Sequence, residues 1–186
     1  AGNDVIYGGA GNDMIDPDTG NDTIFAGNGN DTITVGDSDT GDKLVYMDKL
    51  QDLVNITSTT GDHIVYLGAN NDEARLEANV GDVQVFGDSG NDTIIGQDAG
   101  SDTFDGGSDD DIVGITNGSI GDKVLIGGDG SDSIFVGDTS GQAADAILPN
   151  TSVTVEGGEG DDVVTYDRGL FLADANSGGE GDDEIH

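Results

Sequence analysis

The sequence predicts an all-β chain, a parallel solenoid of the β-roll or β-helix type with two short strands in each coil of 18–20 residues. Three observations predict it. A Gly-rich phrase recurs, as Gly8-Gly9-Ala10-Gly11-Asn12-Asp13-Met14-Ile15, as Gly127-Gly128-Asp129-Gly130-Ser131-Asp132-Ser133-Ile134 and as Gly157-Gly158-Glu159-Gly160-Asp161-Asp162-Val163-Val164. An Asp followed two residues later by an aliphatic side chain returns every nine or ten residues. The chain carries 39 acidic residues against five basic ones, a formal net charge of -34, which a compact fold tolerates only if something screens the carboxylates.

Aligned on the repeating Asp, the units run Asp4, Asp13, Asp22 and Asp31 at a spacing of nine, then Asp42, Asp52, Asp62, Asp72, Asp82, Asp92 and Asp102 at ten. Asp111 comes one residue early, and Asp122 and Asp132 follow. Turn and strand alternate on the two sides of a flattened solenoid, so alternate units share an edge. One edge is then lined by Asp4, Asp22, Asp42, Asp62, Asp82, Asp102, Asp122 and Asp162, the other by Asp13, Asp31, Asp52, Asp72, Asp92, Asp111 and Asp132. The aliphatic residue after each Asp is expected to point inward, giving a ladder of Ile6, Ile15, Ile24, Ile33, Leu44, Val54, Ile64, Ile94, Phe104, Val113, Val124, Ile134 and Val164. Such a fold has no large central core, and its stability is a sum over neighbouring coils.

Residues 1–186 read as one continuous solenoid segment with two interruptions. The first, near 141–151, carries Pro149, which cannot join a central ladder. The second, near 167–177, contains the apolar run Leu170-Phe171-Leu172. Both ends lie inside repeats, so the stretch is expected to be part of a longer protein whose targeting signals lie outside it. No run of ~20 apolar residues offers a membrane span.

A turn that presents backbone carbonyls beside one Asp suits a hard divalent cation with oxygen ligands, calcium above all. Turns on one edge stack about 4.8 Å apart, so an ion can be shared by two of them, and several Ca2+ ions are expected. The turns are unequal. Around Asp42, Asp62 and Asp82 the Gly falls immediately before the Asp, and Asp52 and Asp72 follow turns that lack the glycines. Calcium is therefore expected near both ends and along the second edge from Gly90 and Asp92 onward, with the middle coils closed by ordinary hydrogen bonds.

Composition excludes several functions. So acidic a chain repels nucleic acid and anionic membranes. Cysteine is absent, which removes disulfides, thiolate metal sites and Cys nucleophiles. Two His and repeat-borne carboxylates offer neither a triad nor a zinc set, so no enzyme is expected within the segment. His63 is expected at a partly exposed strand position. Asp161 and Asp162 could mimic a glycosidase pair, but a Gly-rich turn favours calcium ligation. An ice-binding file of Thr is broken by Met14, Lys43, Asp52, His63 and Glu73.

These repeats resemble the RTX family, the repeats-in-toxin β-rolls of secreted bacterial proteins. The resemblance implies a ligand set in which one turn supplies the carbonyls of its first and third residues and its Asp, and the turn a coil later those of its second and fourth residues and its Asp. Carried onto this chain, Gly8, Ala10 and Asp13 face Gly27, Gly29 and Asp31 around one ion. Gly2 and Asp4 lie beneath Asp18, Gly20 and Asp22, and Gly107, Asp109 and Asp111 pair with Gly128, Gly130 and Asp132. Asp92, Asp102, Asp162 and Asp183 take the same role. The resemblance further implies type I secretion and folding on calcium outside the cell. Two functions remain open: a structural repeat region of an adhesin, S-layer or extracellular-matrix protein, with neighbouring repeats or cell-surface polysaccharide as partners, or the secretion and folding module of an RTX toxin or secreted enzyme. Flanking sequence discriminates them.

Overall fold

A computed structural model describes residues 1–36, 39–57, 60–77, 81–97, 99–116, 119, 121–137, 152–166 and 176–186. The expected insertion near 141–151 and residues 167–175 of the second lie outside these described residues, while 176 and 177 open a strand.

Among the described residues two parallel nine-stranded sheets form the solenoid, and the chain alternates between them. One sheet stacks Val5–Ala10, Asp22–Asn28, Lys43–Lys49, His63–Ala69, Val83–Ser89, Asp102–Ser108, Lys123–Asp129, Val153–Glu159 and Asn176–Glu180. The other stacks Met14–Ile15, Thr32–Val35, Leu53–Thr57, Glu73–Glu77, Thr93–Gln97, Ile112–Ile115, Ser133–Val136, Val163–Tyr166 and Glu184–Ile185. Pairing is set by repeat length. Val5 pairs with Thr23, Asp22 with Lys43, Lys43 with His63, His63 with Val83, Thr103 with Gln84, Asp102 with Lys123, Lys123 with Val153 and Val155 with Asn176. Coil lengths are therefore 18, 21, 20, 20, 19, 21, 30 and 21 residues, a wider range than the 18–20 expected.

Side chains alternate across each strand, so a one-residue difference in register exchanges the inner and outer faces. Leu44, Ile64 and Val124 consequently point outward, contrary to expectation, and the inner column is Ile24, Val45, Val65, Val85, Phe104, Leu125 and Val155. It shares one apolar cluster with Ile33, Val54, Ala74, Ile94, Val113, Ile134 and Val164 of the second sheet. Outside the first sheet, Tyr7, Phe25, Tyr46, Tyr66 and Phe86 form a ladder of near-parallel rings with centroids 5.0–5.1 Å apart. In the next coil Asp105 pairs with Phe86 and the ladder ends.

Candidate metal centre

The edge running from Asp13 to Asp183 is built from one turn repeated in every coil. In Gly8-Gly9-Ala10-Gly11-Asn12-Asp13 the second and fourth residues have φ of 109° and 107°. Glycine suits such positions because it has no Cβ to strain. At Gly27 there is a second reason, since a Cβ there would collide with the Gly9 carbonyl one coil away. Yet the turn persists where glycine is missing, with Asp48, Leu50, Asn70, Asp88 and Asp109 at φ of 79°, 78°, 84°, 69° and 79°. Asp and Asn tolerate this region better than other side chains, and at Leu50 stacking with neighbouring coils imposes it against local preference.

These turns hold an unbroken file of carboxylates. The backbone N–H of Asp13 donates to Oδ1 of Asp31, Asp31 to Asp52, Asp52 to Asp72, Asp72 to Asp92, Asp92 to Asp111, Asp111 to Asp132, Asp132 to Asp162 and Asp162 to Asp183, at 2.7–3.2 Å. The second oxygen, Oδ2, is buried without a hydrogen-bond partner in Asp13, Asp31, Asp52, Asp72, Asp92, Asp111, Asp132 and Asp162. Burial pushes the carboxyls of Asp52, Asp72 and Asp111 up to about 7, Asp92 to about 8 and Asp132 to about 6. Carboxylates of adjacent coils add to this, and the N–H each one accepts opposes it.

A buried oxygen with no donor needs a cation or a proton. Among the described residues no three His, Cys, Asp or Glu side chains converge, so a cation here would rely on backbone carbonyls with one carboxylate from each turn. That donor set is all oxygen and fits calcium. The space beside the carboxylate is kept clear by glycine. A Cβ added at Gly8, Gly87, Gly106, Gly127, Gly157 or Gly178 would run into the Oδ2 of the Asp five residues on. In three coils the equivalent residue is Ala26, Met47 or Leu67, each fully buried.

The RTX calcium-binding nonapeptide repeat model matches residues 1–24, 18–39, 69–98, 86–113, 117–140 and 152–169, well over half of the chain. The chain belongs to this RTX family. No curated protein and no solved structure matches it. The RTX matches leave out 40–68, the stretch that contains Met47 and Leu67 and most of the altered turns. RTX repeats are calcium-binding and structural.

The expected RTX turn pairs are neighbours in space. Asp13 meets Asp31, with Gly27 and Gly29 stacked on the carbonyls of Gly9 and Gly11 beside Gly8 and Ala10. Asp111 meets Asp132, with Gly128 and Gly130 on the carbonyls of Gly107 and Asp109. Gly90 stacks on Asn70 beneath Asp92. The Asp4 N–H donates to Asp22 Oδ1 at 2.9 Å and Gly20 covers the Gly2 carbonyl, while Asp18 stays exposed and accepts from the Thr19 N–H. Asp162 lies on the edge opposite to the one expected, because the 30-residue coil restores its register with Asp132 and Asp183.

The first edge departs from the RTX pattern. Glycines set its register, stacking Gly2, Gly20, Gly41, Gly61, Gly81, Gly100 and Gly121 on one another. Two residues after them the buried column reads Asp22, Lys43, His63, Val83, Asp102 and Lys123. Asp42, Asp62, Asp82 and Asp122 therefore do not line up with Asp22; they are exposed, one residue out of register. His63 is buried, not partly exposed, and its Nδ1 accepts the Lys43 N–H at 3.1 Å, the role an Asp Oδ1 plays elsewhere. Burial first, and then Lys43, lowers its pKa to about 4, so it is neutral. Aligning the sequence on glycine rather than on Asp would have revealed Lys43 and Lys123 at these positions.

Proposed function

We propose that this chain is the calcium-dependent structural repeat region of a secreted or cell-surface bacterial protein of adhesin, S-layer or extracellular-matrix type, exported by a type I system. The observation that supports this reading is the continuous file of buried carboxylates whose Oδ2 atoms have no partner. Calcium sits between successive turns, held by Gly8, Ala10 and Asp13 with Gly27, Gly29 and Asp31, and by Gly107, Asp109 and Asp111 with Gly128, Gly130 and Asp132. Gly90, Asp92, Asp162 and Asp183 extend the series.

Folding is then linked to the compartment. Extracellular modules bind calcium with dissociation constants of about 10⁻⁴ to 10⁻³ M, so a calcium-poor cytosol leaves the acidic chain unfolded. Ligand at tenfold over its dissociation constant stabilises by about 1.4 kcal/mol per site, and several sites together reach the scale of a whole domain's stability. Neighbouring repeats are the partners that a solenoid of this kind stacks against.

Far-UV circular dichroism during a calcium titration, with magnesium as control, tests the proposal. A cooperative rise of β signal at high-micromolar to millimolar calcium, absent with magnesium, is expected. A chain fully folded in chelator would overturn it.

A further inference from the structure

We propose that Lys43 and Lys123 are built-in cations, whose ammonium groups hold the first edge together between stacked turns as calcium holds the second, so that these two steps need no metal. The inference rests on reading the second edge as the calcium edge.

Position is the first argument. Lys43 pairs in register with Asp22, and Lys123 with Asp102, so each lysine stands where the second edge carries its next Asp. The ammonium of Lys43 donates to the carbonyl of Gly20 at 2.6 Å and reaches that of Gly41 at 3.5 Å, with Asp22 Oδ2 at 3.2 Å. The ammonium of Lys123 donates to the carbonyl of Gly100 and to Asp102 Oδ2. Lys43 thus gathers two turn carbonyls and a carboxylate and Lys123 one of each, the oxygen types a calcium ion would gather. All four side chains have 0% exposure.

Contrast between the edges is the second. In both, Oδ1 of the Asp accepts an N–H from the preceding coil, as Asp22 does from Asp4 and Asp102 from Val83. On the second edge the remaining oxygen meets no donor; on the first, Asp102 Oδ2 accepts from the Lys123 ammonium, and Asp22 Oδ2, which makes no hydrogen bond, is ion-paired with the Lys43 ammonium at 3.2 Å. Composition is the third. The chain has five basic residues among 186, and two of them are spent in its interior. Burying an ammonium is costly unless it is paired with charge and hydrogen-bonded, which both lysines are. The buried column of the first edge is consequently balanced, with Asp22 against Lys43, Asp102 against Lys123, and His63 and Val83 uncharged between them.

Bound calcium, counted by equilibrium dialysis with ⁴⁵Ca on the full chain, tests this together with thermal melts across calcium concentrations. Lys43→Asp and Lys123→Asp recreate the second-edge pair, and each is expected to bind one more calcium than the parent and to regain the parent's melting temperature only as calcium rises. Lys43→Met fills the space without charge, and is expected to bind no extra calcium and to melt lower at every calcium concentration. If the parent binds calcium while the Asp variants bind no more, or stay unfolded at saturating calcium, the lysine proposal fails alone. It also fails if Lys43→Met melts like the parent. If neither parent nor Asp variants take up calcium, both readings fail.

Discussion

Asp111 donates its backbone N–H to Oδ1 of Asp132 at 2.8 Å, one coil away, while Oδ2 of each stays buried without a donor. One oxygen of each carboxylate thus fastens two coils, and the other is left for a cation. Asn keeps the Oδ1 acceptor and removes the charge. Asp111→Asn is therefore expected to bind at least one calcium fewer than the parent, and to raise the calcium concentration at the folding midpoint. Unchanged stoichiometry by calorimetric titration would remove Asp111 from the ligand set.

Acidity should act in opposite directions with and without calcium. In the metal-free fold Asp52, Asp72, Asp92, Asp111 and Asp132 are raised from 3.8 to values between about 6 and about 8. A group whose folded pKa lies above its unfolded value contributes stability that is fully present below about 3.8 and is lost as pH rises through the folded value. In chelator the chain should accordingly gain β signal between pH 8 and pH 5. His63, lowered from 6.5 to about 4, has the opposite sign and withdraws stability as pH falls toward 4. With calcium present, protons compete for the same carboxylates, so the midpoint calcium concentration should rise as pH drops below 7. Circular dichroism at several pH values, in chelator and in calcium, checks both signs.

Leu50 occupies a turn position at φ 78° that glycine fills in other coils, and its side chain is half exposed. A left-handed conformation costs a non-glycine residue roughly 1–2 kcal/mol, part of which glycine returns through its looser unfolded state. Leu50→Gly should stabilise the calcium-loaded protein by about 1 kcal/mol, read as a higher midpoint in denaturant. A lower midpoint would mean that Leu50 contributes packing that outweighs its backbone strain.

Tyr46 stacks on Phe25 at 5.0 Å and on Tyr66 at 5.1 Å. Each aromatic pair contributes about 0.5–1.5 kcal/mol beyond burial, so Tyr46→Ala should cost roughly 1–3 kcal/mol without altering calcium stoichiometry. Tyr46→Phe keeps the ring and should be close to neutral. A change in bound calcium with Tyr46→Ala would show that the outer ladder and the metal edge are coupled.

The aromatic ladder illustrates what was hard to read in the sequence. Its members stand 18, 21, 20 and 20 residues apart, and their stacking appears only once coil length is known in each interval. The second edge was far easier, because nearly every turn repeats both the Asp and some glycines, and either landmark yields the same alignment. On the first edge the landmarks disagree by one residue at Gly41-Asp42-Lys43, Gly61-Asp62-His63, Gly81-Asp82-Val83 and Gly121-Asp122-Lys123. Following Asp there placed Leu44, Ile64 and Val124 inside and overlooked both buried lysines.

The sequence by itself determined the solenoid, its parallel strands and the carboxylate file from Asp13 to Asp132, because a short repeat carries turn, strand and ligand within one unit. Only the tertiary structure decided which residues face inward on the first edge, that Asp162 joins Asp132, and that lysines stand opposite Asp22 and Asp102. The physical reason is that strand faces alternate with period two, so a shift of one residue exchanges inside and outside. Stacked glycine backbones, which approach too closely to admit a Cβ, set that shift, and their contact is between coils about twenty residues apart.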